Sequence, residues 1–286
     1  MMFEDIRNTP AGEYAETLRQ RWGALLSYRY IGRQHSSMNS SATSDTVAIR
    51  HDMRNAAGGI LGSVFAICAP GGGGPSDLEA VPNPVINSLQ IVDDGRDVQR
   101  IEVINSGALK VGGRLYFGRA TIVDASNHNR VLAHITGQGA SLGQVPPGLT
   151  KFEDDPIEHI EDSPDLPPLW QVFGGSKRTD GKWALGELKA EFASPDAALH
   201  VGPQFVILET AAIDLASELA GTDQIEPVSS HVMFMARGKT GPFRVEGEAG
   251  QGVDADGRIG VQLTLHDEGA NNRMITAASL MFRRVR

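Results

Sequence analysis

Glu209 stands out as a lone carboxylate in an almost wholly apolar run, Phe205-Val206-Ile207-Leu208-Glu209-Thr210-Ala211-Ala212-Ile213. An ionised carboxylate is costly to bury unless it is paired or used. Desolvation raises its pKa, which suits a general base or a nucleophile. Gly202 lies seven residues earlier, after His200-Val201 and before Pro203, which fits the first turn of a helix. Seven helical residues make nearly two turns and about 10 Å of axis. Glu209 is therefore too far along to serve its own helix start and is placed to serve the start of a partner helix. Gly58-Gly59 offers such a start. Free amides at a helix N-terminus stabilise an oxyanion, and glycine lets a substrate approach the backbone. The amides at Gly58, Val201 and Gly202 are open in the same way.

Other chemistry-bearing groups read more plainly. Cys68 falls in an apolar stretch and no histidine pairs with it by a recognisable spacing, so it reads as a buried small hydrophobe. Gly71–Gly74 lacks the Gly-Lys-Ser/Thr that a phosphate loop needs. Arg283, Arg284 and Arg286 make a basic end. No His/Asp/Glu cluster has metal-ligand spacing, so no metal is expected.

The elements that must hold these groups come in two copies. Asp124–Ala133 resembles Asp267–Thr276 at an offset of 143, which also relates Arg130 to Arg273 and Gly59 to Gly202. Gly113-Arg114 and Gly257-Arg258 match at 144. Each copy reads as an extended stretch, an apolar helix and a run of strands. The first has Asp45–His51 extended, a helix over Gly58–Ala69, and strands at Val85–Val92, Val98–Asn105, Arg114–Val123 and Arg130–Gly137. The second has a strand over Trp183–Phe192, a helix over Gly202–Leu219, and strands at Val228–Ala236, Phe243–Gly250, Ile259–His266 and Met274–Phe282. Ala11–Leu26 has helical spacing. Acidic residues and prolines between 152 and 168 describe a solvated linker. The expected division is a helical segment over 1–27, a first domain over 28–145, an acidic Pro-rich linker over 146–168 and a second domain over 169–286. The class is α+β, each antiparallel sheet curling around one long helix.

The chain has 286 residues and a formal charge of −9. An acidic balance argues against a nucleic-acid binder, which needs a basic face. The single cysteine excludes an intrachain disulfide. No apolar run is long enough to span a membrane, and the first residues lack the pattern of a secretory leader. A cytoplasmic protein is expected.

The stretch from Ser194 to Ala211 resembles the hot-dog-fold acyl-CoA thioesterases of the PaaI and 4-hydroxybenzoyl-CoA type. Their signature runs roughly Asn-Pro-x-Gly-x-x-His-Gly-Gly, with Asp or Glu seven residues later. His200, Gly202 and Glu209 match its His, second Gly and acid. Ser194 stands where the family often has Asn, and Val201 replaces the first Gly. In the first copy Gly58 and Gly59 fit the Gly pair, Ala57 takes the His position, Ala66 the acid position, and His51 the Asn position. The resemblance implies two tandem hot-dog domains and hydrolysis of an acyl-CoA thioester. It implies one complete site, with Glu209 facing the Gly59 amide and His51 or Asn55 placed to position the thioester or the water. Glu209-Thr210 is similar to the family's Glu-Thr form, and Gly58, His200, Gly202 and Thr210 are the implied substrate contacts. The counterpart, Ala66 facing Gly202 and His200, would lack an acid. Coenzyme A enters as part of the substrate and no other cofactor is implied. A homodimer of such double units is implied by analogy. Two rivals stay open. One is a hot-dog hydratase or dehydratase, for which Asp52-Met53-Arg54-Asn55 begins the right loop without the following His. The other is a non-catalytic acyl- or ligand-binding protein.

Overall fold

A computed structural model describes residues 4–33, 44–71, 81–112, 115–142 and 159–285. The parts of the linker before residue 159, the glycines at 72–74, the Gly113-Arg114 pair and Arg286 lie outside the described residues.

One antiparallel sheet of eleven strands dominates the fold, with few helices. The N-terminal half supplies β1 (Ser44–Ala48), β2 (Val81–Ile91), β3 (Arg100–Gly112), β4 (Leu115–Asp124) and β5 (Asn127–Leu142). The C-terminal half supplies β6 (Gly175–Lys177), β7 (Trp183–Leu185), β10 (Ile225–Phe234), β11 (Phe243–Ala249), β12 (Arg258–Asp267) and β13 (Arg273–Arg284). A separate small ribbon joins β8 (Ala193–Ser194) to β9 (Ala198–Leu199). The order across the sheet is β1-β3-β4-β5-β2-β10-β13-β12-β11-β7-β6. The halves meet edge to edge where β2 pairs with β10, and there Ser88 lies opposite His231. Those two residues are 143 apart, so the repeat relates one side of the seam to the other.

Alternation builds the sheet. Along the first part of β4 and β12 every second side chain is buried and the intervening ones face water, and the last three residues of each strand are all buried. The buried set faces two helices. α3 (Gly62–Cys68) is buried along its whole length and packs on β2, β10 and α5. α5 (Val201–Ala220) packs on β11, β12, β13 and α3. Gly221, in the left-handed conformation at φ 67°, ends α5. The N-terminal segment forms α1 (Tyr14–Ala24) and α2 (Leu26–Arg29), and α4 (Leu169–Val172) precedes β6.

Three expectations need correction. The first apolar helix begins at Gly62, not Gly58. Gly58 takes φ +87° and Asn55 Oδ1 accepts from the Gly59 amide at 3.1 Å, so the first turn is spent on a tight loop. The expected strand over Trp183–Phe192 stops at Leu185, where Gly186 breaks the alternation and Leu188 N–H turns to Thr240 O. The helix over Ala11–Leu26 splits at Leu25, which is extended at ψ 115°.

Candidate active site

The missing first turn of α3 is what makes the site. The amides of Gly62 and Ser63 open the helix and have no carbonyl partner within it. Glu209, midway along α5, fills that position: Oε1 accepts from Gly62 N at 2.7 Å and Oε2 from Ser63 N at 2.7 Å. The residues related to these by the repeat are Ala66, Phe205 and Val206. In the second copy the helix already starts at Val201, so Phe205 and Val206 are interior residues of a helix. The two copies thus differ both in the acid and in the exposed amides.

Glu209 is 3% exposed. Burial pushes its carboxyl above the ordinary glutamate range, and the hydrogen bonds from Ser63 and Gly62 pull the other way. Beside it lies a small cavity of about 20 Å³, room for about one water. Gly62, Ser63 and Ala66 of α3 line it, with Phe205 and Leu208 of α5 and Leu89 of β2. Ser229 and Ser230 of β10 also border it. The cavity therefore sits at the seam, between the helices and the paired strands of both halves. A water held there has a carboxylate of raised proton affinity next to it and Ser63, Ser229 and Ser230 among the residues around it.

The other residues singled out by sequence are distributed as follows. Gly59 does not meet the carboxylate: its amide donates to Asn55 and its carbonyl accepts from the Asn55 amide at 2.8 Å. Asn55 therefore shapes the turn before α3, and its Nδ2 is buried without a partner. His51 is on the surface, with its amide on Asp162 Oδ1 at 2.6 Å and its ring 4.0 Å from the same carboxylate. Gly58 supplies the turn. Thr210 donates its hydroxyl back to Val206 O at 2.8 Å along its own helix. Asp52, the start of the hydratase-like loop, is buried and held by Arg50 at 3.1 and 3.2 Å. Cys68 is buried, and burial pushes its thiol up to about 12, so it stays protonated.

His200 and Gly202 form a separate cluster at the start of α5. His200 Nδ1 accepts from Gly202 N at 3.3 Å, capping the helix, and lies 2.9 Å from Ser27 Oγ. The Tyr28 ring stands edge-on to the imidazole, with centroids 5.4 Å apart. Burial, then Arg237 and Arg33, push the His200 pKa down to about 3. The chain's own N-terminal segment covers this helix start, leaving neither residue open to a ligand in this arrangement.

Sequence reasoning missed Gly62, Ser63, Ser229 and Ser230. The first two had a signal, because Ala66 is the repeat partner of Glu209 and the helix start one turn before it is Gly62-Ser63. The serines of β10 had none, since ordinary strand residues give no sign of which cavity they border. Among the described residues no group of three or more His, Cys, Asp or Glu is placed to hold a metal, and no helix is long and apolar enough to cross a membrane.

No family model matches the chain, and no curated protein matches it in sequence. Solved structures do match in shape. An acyl-CoA thioesterase II TesB2 from Mycobacterium marinum aligns over 84% of this chain and 92% of its own, at 12% identity and a TM-score of 0.55. A tesB protein from Mycobacterium avium subsp. paratuberculosis aligns over 87% and 95%, at 11% identity and a TM-score of 0.54. A conserved protein of unknown function with hot-dog fold from Alicyclobacillus acidocaldarius aligns over 87% and 95%, at 10% identity and a TM-score of 0.52. At these identities the likeness speaks for architecture alone: the chain shares the hot-dog fold with proteins several of which are named thioesterases.

Proposed function

We propose that the protein is an acyl-CoA thioesterase built from two hot-dog units in one chain, with a single working site at the seam. The observation that carries the reading is the contact of the buried Glu209 carboxylate with the Gly62 and Ser63 amides at the start of α3. In the resting enzyme the carboxylate occupies both amides. An entering thioester carbonyl displaces one carboxylate oxygen and accepts that amide hydrogen bond instead. The freed oxygen of Glu209 then faces a water and takes its proton as the water attacks the carbonyl. The developing oxyanion rests on the helix amide and the positive end of the α3 dipole. As the C–S bond breaks, the Glu209 proton goes to the departing coenzyme A thiolate. A free acid and coenzyme A result, and the scheme calls on no cofactor beyond the substrate's own coenzyme A. The names of the fold relatives agree with thioester hydrolysis, and the His200-x-Gly202 spacing to Glu209 supports the PaaI-type variant of the motif.

One observation favours a second reading. Both carboxylate oxygens are already satisfied and the cavity holds about one water, as in a structural cap within a non-catalytic ligand-binding protein. Thiol release from short-chain, long-chain and aromatic acyl-CoAs separates the two. Hydrolysis by the native protein that falls about 10²- to 10⁴-fold in Glu209→Gln supports the thioesterase. Binding of acyl-CoA with no thiol release by the native protein refutes it.

A further inference from the structure

We propose that Arg54 is a positioning residue for the Glu209 site: its guanidinium takes a backbone carbonyl that an earlier start of α3 would need, and so leaves the amides at the helix start to the carboxylate. The chemical meaning of this rests on the thioesterase reading, and the geometry stands without it. In an α-helix each N–H donates to the C=O four residues back. With a helix running from Gly58, Gly62 N–H would donate to Gly58 O and Ser63 N–H to Gly59 O. Both carbonyls are engaged elsewhere. Arg54 Nη1 donates to Gly58 O at 3.0 Å, and the Asn55 backbone amide donates to Gly59 O at 2.8 Å. The Gly62 and Ser63 amides donate to Glu209 instead, at 2.7 Å each.

The guanidinium also fixes what lies behind the turn. Nη1 is 3.1 Å from Gly95 O and 3.0 Å from Arg96 O, and Nη2 donates to Val98 O at 2.6 Å. Arg54 thus ties the turn over 54–60 to the loop over 93–98, and Ile60 N–H closes the other side on Asp94 O at 2.8 Å. That loop is itself anchored. Asp93 Oδ1 accepts from Gly95 N at 2.9 Å. Arg130 of β5 grips Asp93 at 2.8 and 3.0 Å and Asp97 at 2.7 and 2.9 Å. The turn cannot rewind into helix without giving up these charge-assisted contacts.

The second copy is the comparison that the molecule itself provides. At the 143-residue offset, Arg54 corresponds to Ala197, which sits in a tight turn at φ 53° and brings no cation. There the helix does begin at the residue matching Gly58: α5 opens at Val201. The amides matching Gly62 and Ser63 belong to Phe205 and Val206, inside the helix, and the carbonyls of Val201 and Gly202 serve them. The loop matching 93–98 supplies a cation of its own, Arg237, but its guanidinium goes to the side chains of Ser194 and Asp196. The copy whose guanidinium takes the helix-start carbonyl has exposed amides and an acid on them. The copy whose guanidinium takes side chains has neither.

The test reads the carboxylate through its donors. In the ¹⁵N-labelled full-length protein, the Gly62 and Ser63 amide resonances follow the protonation of Glu209 as pH is varied, and the step vanishes in Glu209→Gln. No other titratable residue lines the cavity around Glu209, so the midpoint reports the amide contacts. Arg54→Lys keeps the positive charge but cannot span four carbonyls. Weakened amide bonds to the ionised carboxylate then let burial dominate, and the midpoint rises by about one pH unit. Gly95→Ala loosens the same joint from the other side, because residue 95 sits at φ +65° and a Cβ there would lie 2.7 Å from Ile60 Cδ1. It should move the midpoint in the same direction. Thiol release should fall about 100-fold in Arg54→Lys with KM little changed. A role confined to stability would lower the urea midpoint and leave the titration where it is. Folded variants, checked by near-UV circular dichroism, whose amides titrate as in the native protein overturn the proposal. A shifted titration in a protein whose native form releases no thiol refutes the thioesterase reading and leaves the positioning role standing.

Discussion

Glu209 and His200 are both buried ionisable groups at helix starts, and burial moves them in opposite directions. The Glu209 carboxyl is raised in the folded protein, so the folded state holds its proton more tightly than the unfolded chain does. Its contribution to stability is fully present below the ordinary glutamate range and is lost as pH rises through the raised folded value. His200 is depressed from 6.5 to about 3. Its contribution is present above 6.5 and is lost as pH falls toward 3, by about 4 kcal/mol over the whole interval. Urea unfolding as a function of pH checks both. His200→Asn keeps an acceptor for the Gly202 amide without a titrating ring, and its stability should fall less steeply than the native protein's on acidification below pH 6.5. An unchanged acid slope in that variant removes His200 as the cause. Glu209→Gln flattens the loss on the upper side, but its single oxygen satisfies only one of two amides, and its NH₂ group faces the other donor. A cost of about 1–3 kcal/mol follows. If Glu209 is the general base, the rate of thiol release rises with pH and levels off above the raised Glu209 value, and a rate that is flat from pH 4 upward contradicts that role. Glu209 was legible in sequence because a carboxylate in an apolar helix is anomalous whatever surrounds it. Its amide partners were not, because Gly59 and Gly62 differ by less than one helical turn.

Which amides meet the acid is decided by where α3 starts, and that is a contest between helix and turn. Asn55, Gly58 and Gly59 take the turn, and the helix waits until Gly62. The α5 start went the other way because His200 caps Gly202 and Pro203 suits the first turn. The two glycines that open these helices should therefore respond differently to a methyl group. At Gly62 a Cβ would lie 3.1 Å from Glu209 Oε1 and 3.4 Å from Leu89 Cδ2. These are side-chain ends that can give a little, and alanine favours helix by about 1 kcal/mol. Gly62→Ala should hold its stability within about 1 kcal/mol of the native protein, while thiol release falls as the carboxylate is pushed off its amides. At Gly202 a Cβ would lie 2.2 Å from Ser27 Oγ and 2.7 Å from Ser27 Cβ. Only movement of α2 relieves that, so Gly202→Ala should cost about 1–3 kcal/mol in urea unfolding. Ser27→Gly in the same chain should recover most of it. If the single and double variants are equally unstable, the N-terminal segment is not what crowds Gly202. The sequence showed a helical stretch before residue 27 but not its docking site, since no local pattern says that Ser27 and Tyr28 close over His200.

At the scale of the whole molecule, the repeat predicts more than the elements do, because residues 143 apart meet at the seam. Ser88 Oγ lies 2.7 Å from His231 Nδ1 across β2 and β10, and backbone pairing there makes one sheet of the two halves. The N-terminal segment spans the join. Ile6 N–H and the Arg21 guanidinium reach Pro195 O at 2.9 and 2.8 Å in the C-terminal half. Farther along, Arg33 pairs with Asp45 at 3.5 Å, and the Arg50 guanidinium lies 4.7 Å from the Tyr30 ring centroid, both tying the segment to the N-terminal half. A half released alone would expose the inner strand of the seam, the α3–α5 contact and the cavity beside Glu209. The halves should therefore unfold together despite a linker between them. The tryptophans make this testable without labels. All three lie at 22, 170 and 183, on the N-terminal segment or in the C-terminal half, so fluorescence follows that side while far-UV circular dichroism follows both. The two signals should share one urea midpoint in the native protein. His231→Pro removes an amide from β10, which is paired on both edges, and should lower that midpoint by about 3 kcal/mol or more of stability. A native protein whose circular dichroism falls in two steps, only one of them seen by fluorescence, would mean that the seam does not couple the halves. A site shared between them would then depend on a contact weaker than either half.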